Sequence, residues 1–212
     1  MIISRKNTAL LLIDFQRDFC EKDGYAYKFS GNINWVKPIL PKAKKLLDFA
    51  RKNKLFIIHT REGYKRDLSD CDKFRLERSK TAGAQIGSKG PMGRLLICGE
   101  HGQDIIDLLK PIKGEKVLDK SSYGAFATTS LKSILKKQNI THLILCGVTA
   151  DVCVHTTLRE ATDLGFYCYY VKDAISSPDA SLRKACERMI EAEGGVWGKL
   201  VDTETILKSN CH

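Results

Sequence analysis

The chain has 212 residues, 43% hydrophobic and 28% charged, with a formal net charge of +10. That length and apolar content suit one globular domain over residues 1–212, and no Ser/Gly/Pro-rich linker divides it. The surplus charge argues weakly for nucleic acid, because Lys42, Lys44 and Lys45 fall on one expected helix and Lys132, Lys136 and Lys137 on another, as solvated helix faces do.

"TALLLIDF" (Thr8 to Phe15) is a short apolar run ending in a charge and predicts a buried strand. Asn32 to Asn53 carries Val36, Leu40, Leu46, Leu47 and Ala50 at roughly helical spacing, and "LFIIHT" (Leu55 to Thr60) predicts a second buried strand. Residues 61–100 show no clean period and hold Gly83, Gly87, Gly90, Pro91 and Gly93, a length of chain that is usually functional or built from small local elements. Gln103 to Leu109 reads as a short helix, Glu115 to Lys120 as the third strand, and Thr128 to Gln138 as a helix capped by Thr128 or Thr129. "HLILCGV" (His142 to Val148) is the fourth strand, and Asp151 to Leu164 a helix closed by Gly165. Phe166 to Asp173, a helix over Asp179 to Glu193, and the strand Gly198 to Asp202 complete the chain. Continuously apolar strands alternating with amphipathic helices imply an α/β protein with a mostly parallel sheet covered on both faces.

The apolar stretch Ala9 to Ile13 is too short for a signal core, and no run approaches transmembrane length. A cytoplasmic location with no membrane partner is therefore expected, with the eight cysteines kept as thiols. Their spacing matches no paired zinc motif.

In parallel sheets ligands bind beyond the carboxyl ends of the strands. Asp14 and Lys120 stand at two such ends, and Cys153 follows a third at an expected helix N-terminus. A free thiol with a pKa near ~8.5 is lowered by a helix N-terminus and a nearby cation, so Cys153 beside Lys120 is expected to react as thiolate at about pH 6. Asp14 is suited to take the thiol proton, return it to a leaving group and later activate water. Backbone N–H groups between Val148 and Cys153 are placed to stabilise an oxyanion. Cys146 and Cys168, inside strands, read as small buried hydrophobes.

Three stretches, "LLLIDFQRDFC", "VLDKSSYGAF" and "LILCGVTADVCVHTTLREATDLG", together resemble the isochorismatase-like cysteine hydrolases, from Thr8 to about Trp197. The resemblance implies a three-layer α/β/α sandwich with a six-stranded parallel sheet. It implies Asp14, Lys120 and Cys153 as a catalytic triad, and a cis peptide at Val148–Thr149 that helps aim the oxyanion hole. Members that cleave the vinyl ether of isochorismate lack the cysteine, so Cys153 points to C–N bond hydrolysis. Nicotinamidase-like members carry an Asp-x-His pair and a further His after the second strand; "HTREGYKRDLSDC" lacks the pair, so no metal and no cofactor are expected. His59 reads as a packed strand residue, and His101, His142, His155 and His212 form no ligand spacing.

The middle stretch, "HTREGYKRDLSDCDKFRLERS" followed by "IGSKGPMGRLLICGEHGQDII", is similar to biuret hydrolase and related ureido-amide hydrolases, which release ammonia from small amides or ureides. That similarity implies Phe19 as a pocket wall. Gln16 and Arg61 are candidates to orient a substrate carbonyl or carboxylate, with a salt bridge as the competing role for Arg61. Two departures bear on specificity. Tyr123 stands where such enzymes read a second lysine, and Glu193 where they read a glutamine. Losing a cation and gaining an anion would disfavour an anionic substrate. The family commonly forms dimers or tetramers. Other readings are a nicotinamidase-type or other hydrolase of the family, a non-catalytic ligand-binding member, and a nucleic-acid module.

Overall fold

The computed structural model describes residues 2–211, so His212 lies outside the described residues. Six strands form the central sheet: β1 (Thr8–Ile13), β2 (Phe56–Glu62), β3 (Lys116–Lys120), β4 (His142–Val148), β5 (Tyr167–Ser176) and β6 (Lys199–Val201). All neighbours are parallel, in the spatial order β3-β2-β1-β4-β5-β6. The main flanking helices are α1 (Leu40–Lys52), α2 (Lys73–Thr81), α3 (Leu131–Lys137), α4 (His155–Asp163) and α5 (Ala180–Glu191). No helix is long and apolar enough to cross a membrane among the described residues.

The sheet forms because its central strands are apolar on both sides. All six residues of β1 are buried, and Leu11 lies between Ile58 of β2 and Leu145 of β4. Leucine favours helix locally, but a run of this length with both faces covered gains more as a central strand, at about 1.5–3 kcal/mol for each fully buried side chain. The strand order reverses between β1 and β4, and a crevice opens beyond their carboxyl ends. Gly147 allows the two strands to meet there. Its φ is 142°, and a Cβ would stand 2.2 Å from the Ile13 carbonyl oxygen.

Several boundaries differ from the sequence expectation for identifiable reasons. The first long helix starts at Leu40 rather than Asn32, behind a 3-10 turn over Lys37–Ile39, because Pro38 and Pro41 are tolerated only near a helix start. The segment Gln103 to Leu109 is not one helix. It splits into 3-10 turns at His101–Gln103 and Asp107–Leu109, because the Asp104 carbonyl accepts from Arg17 N–H (2.9 Å) and Ile106 N–H donates to the Phe15 carbonyl (3.1 Å). The helix after β3 begins at Leu131, whose N–H donates to Thr129 Oγ1 at 3.0 Å. The helix after β4 opens with a π turn over Ala150–Val154 before α4 begins at His155. The second strand runs on to Glu62 instead of stopping at Thr60, and this extension shapes the site.

Residues 61–100, without a period in sequence, are organised by α2 and a two-residue hairpin pairing Lys89–Gly90 with Gly93–Arg94. Asp72 caps α2 by accepting from Arg75 N–H at 2.8 Å. Asp18 fastens this layer to the crevice: its carboxylate accepts from Tyr25 N–H (3.2 Å) and Leu96 N–H (2.9 Å). Burial nevertheless pushes the Asp18 carboxyl up from 3.8 to about 6, against those two hydrogen bonds. A carboxyl with a raised folded pKa binds its proton more tightly folded than unfolded, so its contribution to stability falls as pH climbs from about 4 through about 6. The unfolding free energy of the wild type should decline relative to Asp18→Asn by up to about 3 kcal/mol between about pH 4 and pH 7. Urea titrations of the two proteins across that range measure it, and a pH-independent difference would refute the assignment.

Candidate active site

Three strand ends bring Asp14, Lys120 and Glu62 together. Asp14 directly follows β1, Lys120 ends β3 and Glu62 ends β2, in register with Lys120. Asp14 and Lys120 are fully buried, with Lys120 Nζ 2.8 Å from Asp14 Oδ2. Asp14 adopts φ 54°, a region that aspartate tolerates better than most residues. Thr60 secures it from both sides: Asp14 N–H donates to the Thr60 carbonyl (3.2 Å), and Thr60 Oγ1–H donates to Asp14 Oδ1 (2.7 Å). Lys120 also donates to the Ser122 carbonyl at 3.0 Å. Asp14 Oδ2 accepts no well-directed hydrogen bond from any described residue, although the ammonium lies against it.

Cys153 enters from the π turn that follows β4, and the peptide Val148–Thr149 preceding that turn is cis. Ligand atoms of Asp14, Glu62 and Cys153 all lie within 4.8 Å of one another, and Cys153 Sγ stands 3.6 Å from Glu62 Oε2. Tyr64 O–H donates to the other Glu62 oxygen at 2.9 Å. Such a set has the donors of a metal site, but the Lys120 ammonium already supplies the cation that neutralises it.

Burial dominates the electrostatics. Desolvation and the neighbouring Asp14 and Glu62 carboxyls hold the Cys153 thiol well above the usual range, outweighing Lys120. The sequence-based expectation of a lowered thiol pKa is therefore reversed. It counted the cation and missed both the depth of the site and the second carboxyl. Burial likewise raises Glu62, with Asp14 adding to the effect and Lys120 opposing it. Desolvation alone would lower Lys120, but Asp14, Cys153 and Glu62 together raise it.

A cavity of about 220 Å³ opens on Cys153. Phe19, Tyr25 and Phe29 form an aromatic wall, with neighbouring ring centroids 5.7 and 5.5 Å apart. Tyr123, Thr149 and Val152 line it as well, and so do Glu62 and Arg78, which sequence reasoning missed. The parity of β2 was the available signal for Glu62: residues two apart share a face, so Glu62 follows Thr60 toward Asp14. The same parity turns Arg61 the other way. Arg61 pairs with Asp119 (2.7 Å) and Asp104 (3.2 Å) and does not line the cavity. Gln16 is also diverted from the substrate position expected for it. Its amide donates to the Glu62 carbonyl (2.8 Å) and accepts from Glu62 N–H (2.7 Å), clamping β2 to the end of β1. Glu193 is exposed in a 3-10 turn beyond α5 and does not line the cavity. Its placement follows from the end of α5 at Glu191, two residues short of the expected end. His59 is buried against Glu115 Oε2 at 2.9 Å, away from the site.

A parallel sheet with a cysteine, a carboxyl and a lysine buried at its switch point defines an α/β protein with a cysteine-centred polar site. The sequence matches the isochorismatase domain over residues 8–202, and the chain belongs to the isochorismatase family of hydrolases. It is 28% identical over 172 residues to the ureidoacrylate amidohydrolase RutB of Serratia proteamaculans, covering 80% of this chain and 69% of that protein. The corresponding protein of Yersinia enterocolitica is 28% identical over 209 residues, covering 96% and 88%. Among solved structures, a cysteine hydrolase from Pseudomonas syringae superposes with a TM-score of 0.81 at 23% identity, covering 98% of this chain and 94% of the other. An isochorismatase family protein from Desulfovibrio vulgaris gives 0.79 at 25%, covering 94% and 96%.

A thiol held up by burial and two carboxyls should alkylate slowly at about pH 6, with a rate still climbing beyond the ordinary ~8.5. Iodoacetamide labelling of Cys153 followed by peptide mass spectrometry reads that profile. Glu62→Gln should shift it to lower pH, since one carboxyl that opposes the thiolate is gone; fast labelling of the wild type at about pH 6 would contradict this.

Proposed function

We propose that this protein is a cysteine-dependent amidohydrolase that cleaves the C–N bond of a small amide or ureide and releases ammonia through a thioester. The observation that carries the reading is the shared position of Asp14, 2.8 Å from Lys120 Nζ and within 4.8 Å of Cys153 Sγ. The relatives named as ureidoacrylate amidohydrolases support the substrate class.

At rest the thiol keeps its proton, because burial and the carboxyls disfavour the thiolate. Attack is then coupled to proton transfer. As Cys153 Sγ bonds to the substrate carbonyl carbon, its proton passes to Asp14 Oδ2, whose position against Lys120 leaves a lone pair free of a directed hydrogen bond. Negative charge develops on the carbonyl oxygen, and the Thr149 and Cys153 amides, from residues bordering the cavity, are its stabilising donors. Asp14 returns the proton to the departing nitrogen, the C–N bond breaks, and ammonia leaves an acyl or carbamoyl thioester. Asp14 then takes a proton from water, hydroxide adds to the thioester carbon, and the C–S bond breaks. Asp14 returns that proton to the sulfur, and the product acid loses its own proton to solvent, leaving a carboxylate, or a carbamate from a ureide. Lys120, 2.8 Å from Asp14, positions that carboxyl as it takes up and returns protons.

An ammonia-release screen over ureides and amides, including biuret, nicotinamide and ureidoacrylate, tests the reading. Cys153→Ala should lower the rate on the preferred substrate by at least about 1,000-fold, and Asp14→Asn by a comparable factor. Ammonia release by Cys153→Ala at the parental rate would overturn the mechanism.

A further inference from the structure

The cavity is lined by polar groups that this chemistry leaves idle. Arg78 of α2 and Tyr123, from the loop after β3, both line it. The Arg78 guanidinium carbon lies 5.5 Å from the Tyr123 ring centroid, and Arg78 Nη2 donates to the Tyr25 hydroxyl at 3.2 Å. Arg78 Nε is buried without a hydrogen-bond partner, and so is the Tyr123 hydroxyl. Arg75, one turn earlier on the helix, does not line the cavity: it pairs with Asp72 (3.1 Å), donates to the Ser121 carbonyl (2.8 Å) and packs 4.7 Å from the Tyr123 ring centroid, although its Nε also lacks a partner. Arg78 forms no salt bridge among the described residues.

Three carboxyl groups share the cavity lining, and each is engaged elsewhere. Glu62 accepts from Tyr64 (2.9 Å), Asp151 from the Ser177 hydroxyl, and Asp179 from Ser181 N–H (2.7 Å) at the start of α5. A guanidinium with an idle buried N–H is costly until an acceptor reaches it. Its planar donor fork matches a carboxylate, and a tyrosine hydroxyl can donate to the same group. The aromatic face beside it adds a cation–π contact that holds the fork in place. Replacing a lysine by Tyr123 therefore does not leave the pocket without a cation, because the ring serves as the platform for one brought from α2.

We infer that Arg78, seated on Tyr123, anchors a substrate carboxylate, so that the substrate is a small ureido- or amido-carboxylate; the inference rests on the amidohydrolase reading. Arg78 is then the residue that sets specificity, while Cys153 and Asp14 carry the bond cleavage.

Matched probes separate the two ideas: N-carbamoylglycine and 3-ureidopropionate, each against its neutral methyl ester. Binding of each pair to Cys153→Ala is measured by calorimetry, and ammonia release is measured with the wild type. The acid should bind at least about tenfold more tightly than its ester in one pair or both. Adding Arg78→Gln should weaken acid binding by about 30-fold or more and remove the preference, with Arg78→Lys recovering part of it and Tyr123→Phe losing less. In turnover, Arg78→Gln should act on KM for the acid far more than on kcat. Equal binding of acid and ester, or an equal loss for both on Arg78→Gln, would overturn the inference whether or not ammonia is released. Acid-selective binding without ammonia release by the wild type would leave the anchor standing and overturn the hydrolase reading instead.

Discussion

The buried ion pair between Lys120 and Asp14 is the constraint around which the rest is arranged. Both side chains are fully removed from water and meet at 2.8 Å. Each ion costs several kcal/mol to bury, and removing one partner alone typically costs about 3–5 kcal/mol, because the other is left uncompensated. Only a parallel sheet brings these two positions together, since they terminate different strands and are far apart in the chain. Thr60 holds Asp14, Gln16 clamps β2 to the end of β1, and Gly147 lets β4 approach Ile13 closely. Each of these secures the same switch point, so the stability of the sheet end and the geometry of the site have a common origin.

Burial, with the pair and Glu62 acting beside it, sets the state of Cys153. One cation faces two carboxyls and a thiol that are all buried, so the thiolate is disfavoured although the lysine is near. In the proposed mechanism such a site is protected at rest, since attack on a carbonyl is coupled to passage of the thiol proton to Asp14. This differs from a solvent-facing thiol beside a cation, which ionises by itself. Depth, more than proximity to a positive charge, separates the two cases.

Much of this was legible in the residues. The six strands and their parallel direction follow from apolar runs alternating with amphipathic helices, and Asp14, Lys120 and Cys153 stand out as reactive groups at or just beyond strand ends. Cys146, seven residues before Cys153 in sequence, is buried within β4 as its apolar setting implies. Arg61 and Gln16 were harder to read. They sit beside the reactive groups in sequence, but strand parity directs Arg61 to Asp119, and the Gln16 amide satisfies the backbone at Glu62. Arg78 gave no signal, because residues 61–100 lack the periodicity by which a helix face can be assigned.

The sequence by itself determined the fold class, the succession of strands and helices along the chain and the identity of the groups at the strand ends. Those properties depend on local patterning: apolar runs of strand length, helix breakers, and charges that stop a run. Tertiary structure alone decided which of those groups share one desolvated volume. Strand register set Glu62 against Cys153, burial reversed the expected direction of the thiol pKa, and packing of α2 over Tyr123 supplied the cavity with a cation. Electrostatic free energies depend on distance through space and on exclusion of water, and neither is written in the spacing of residues along a chain.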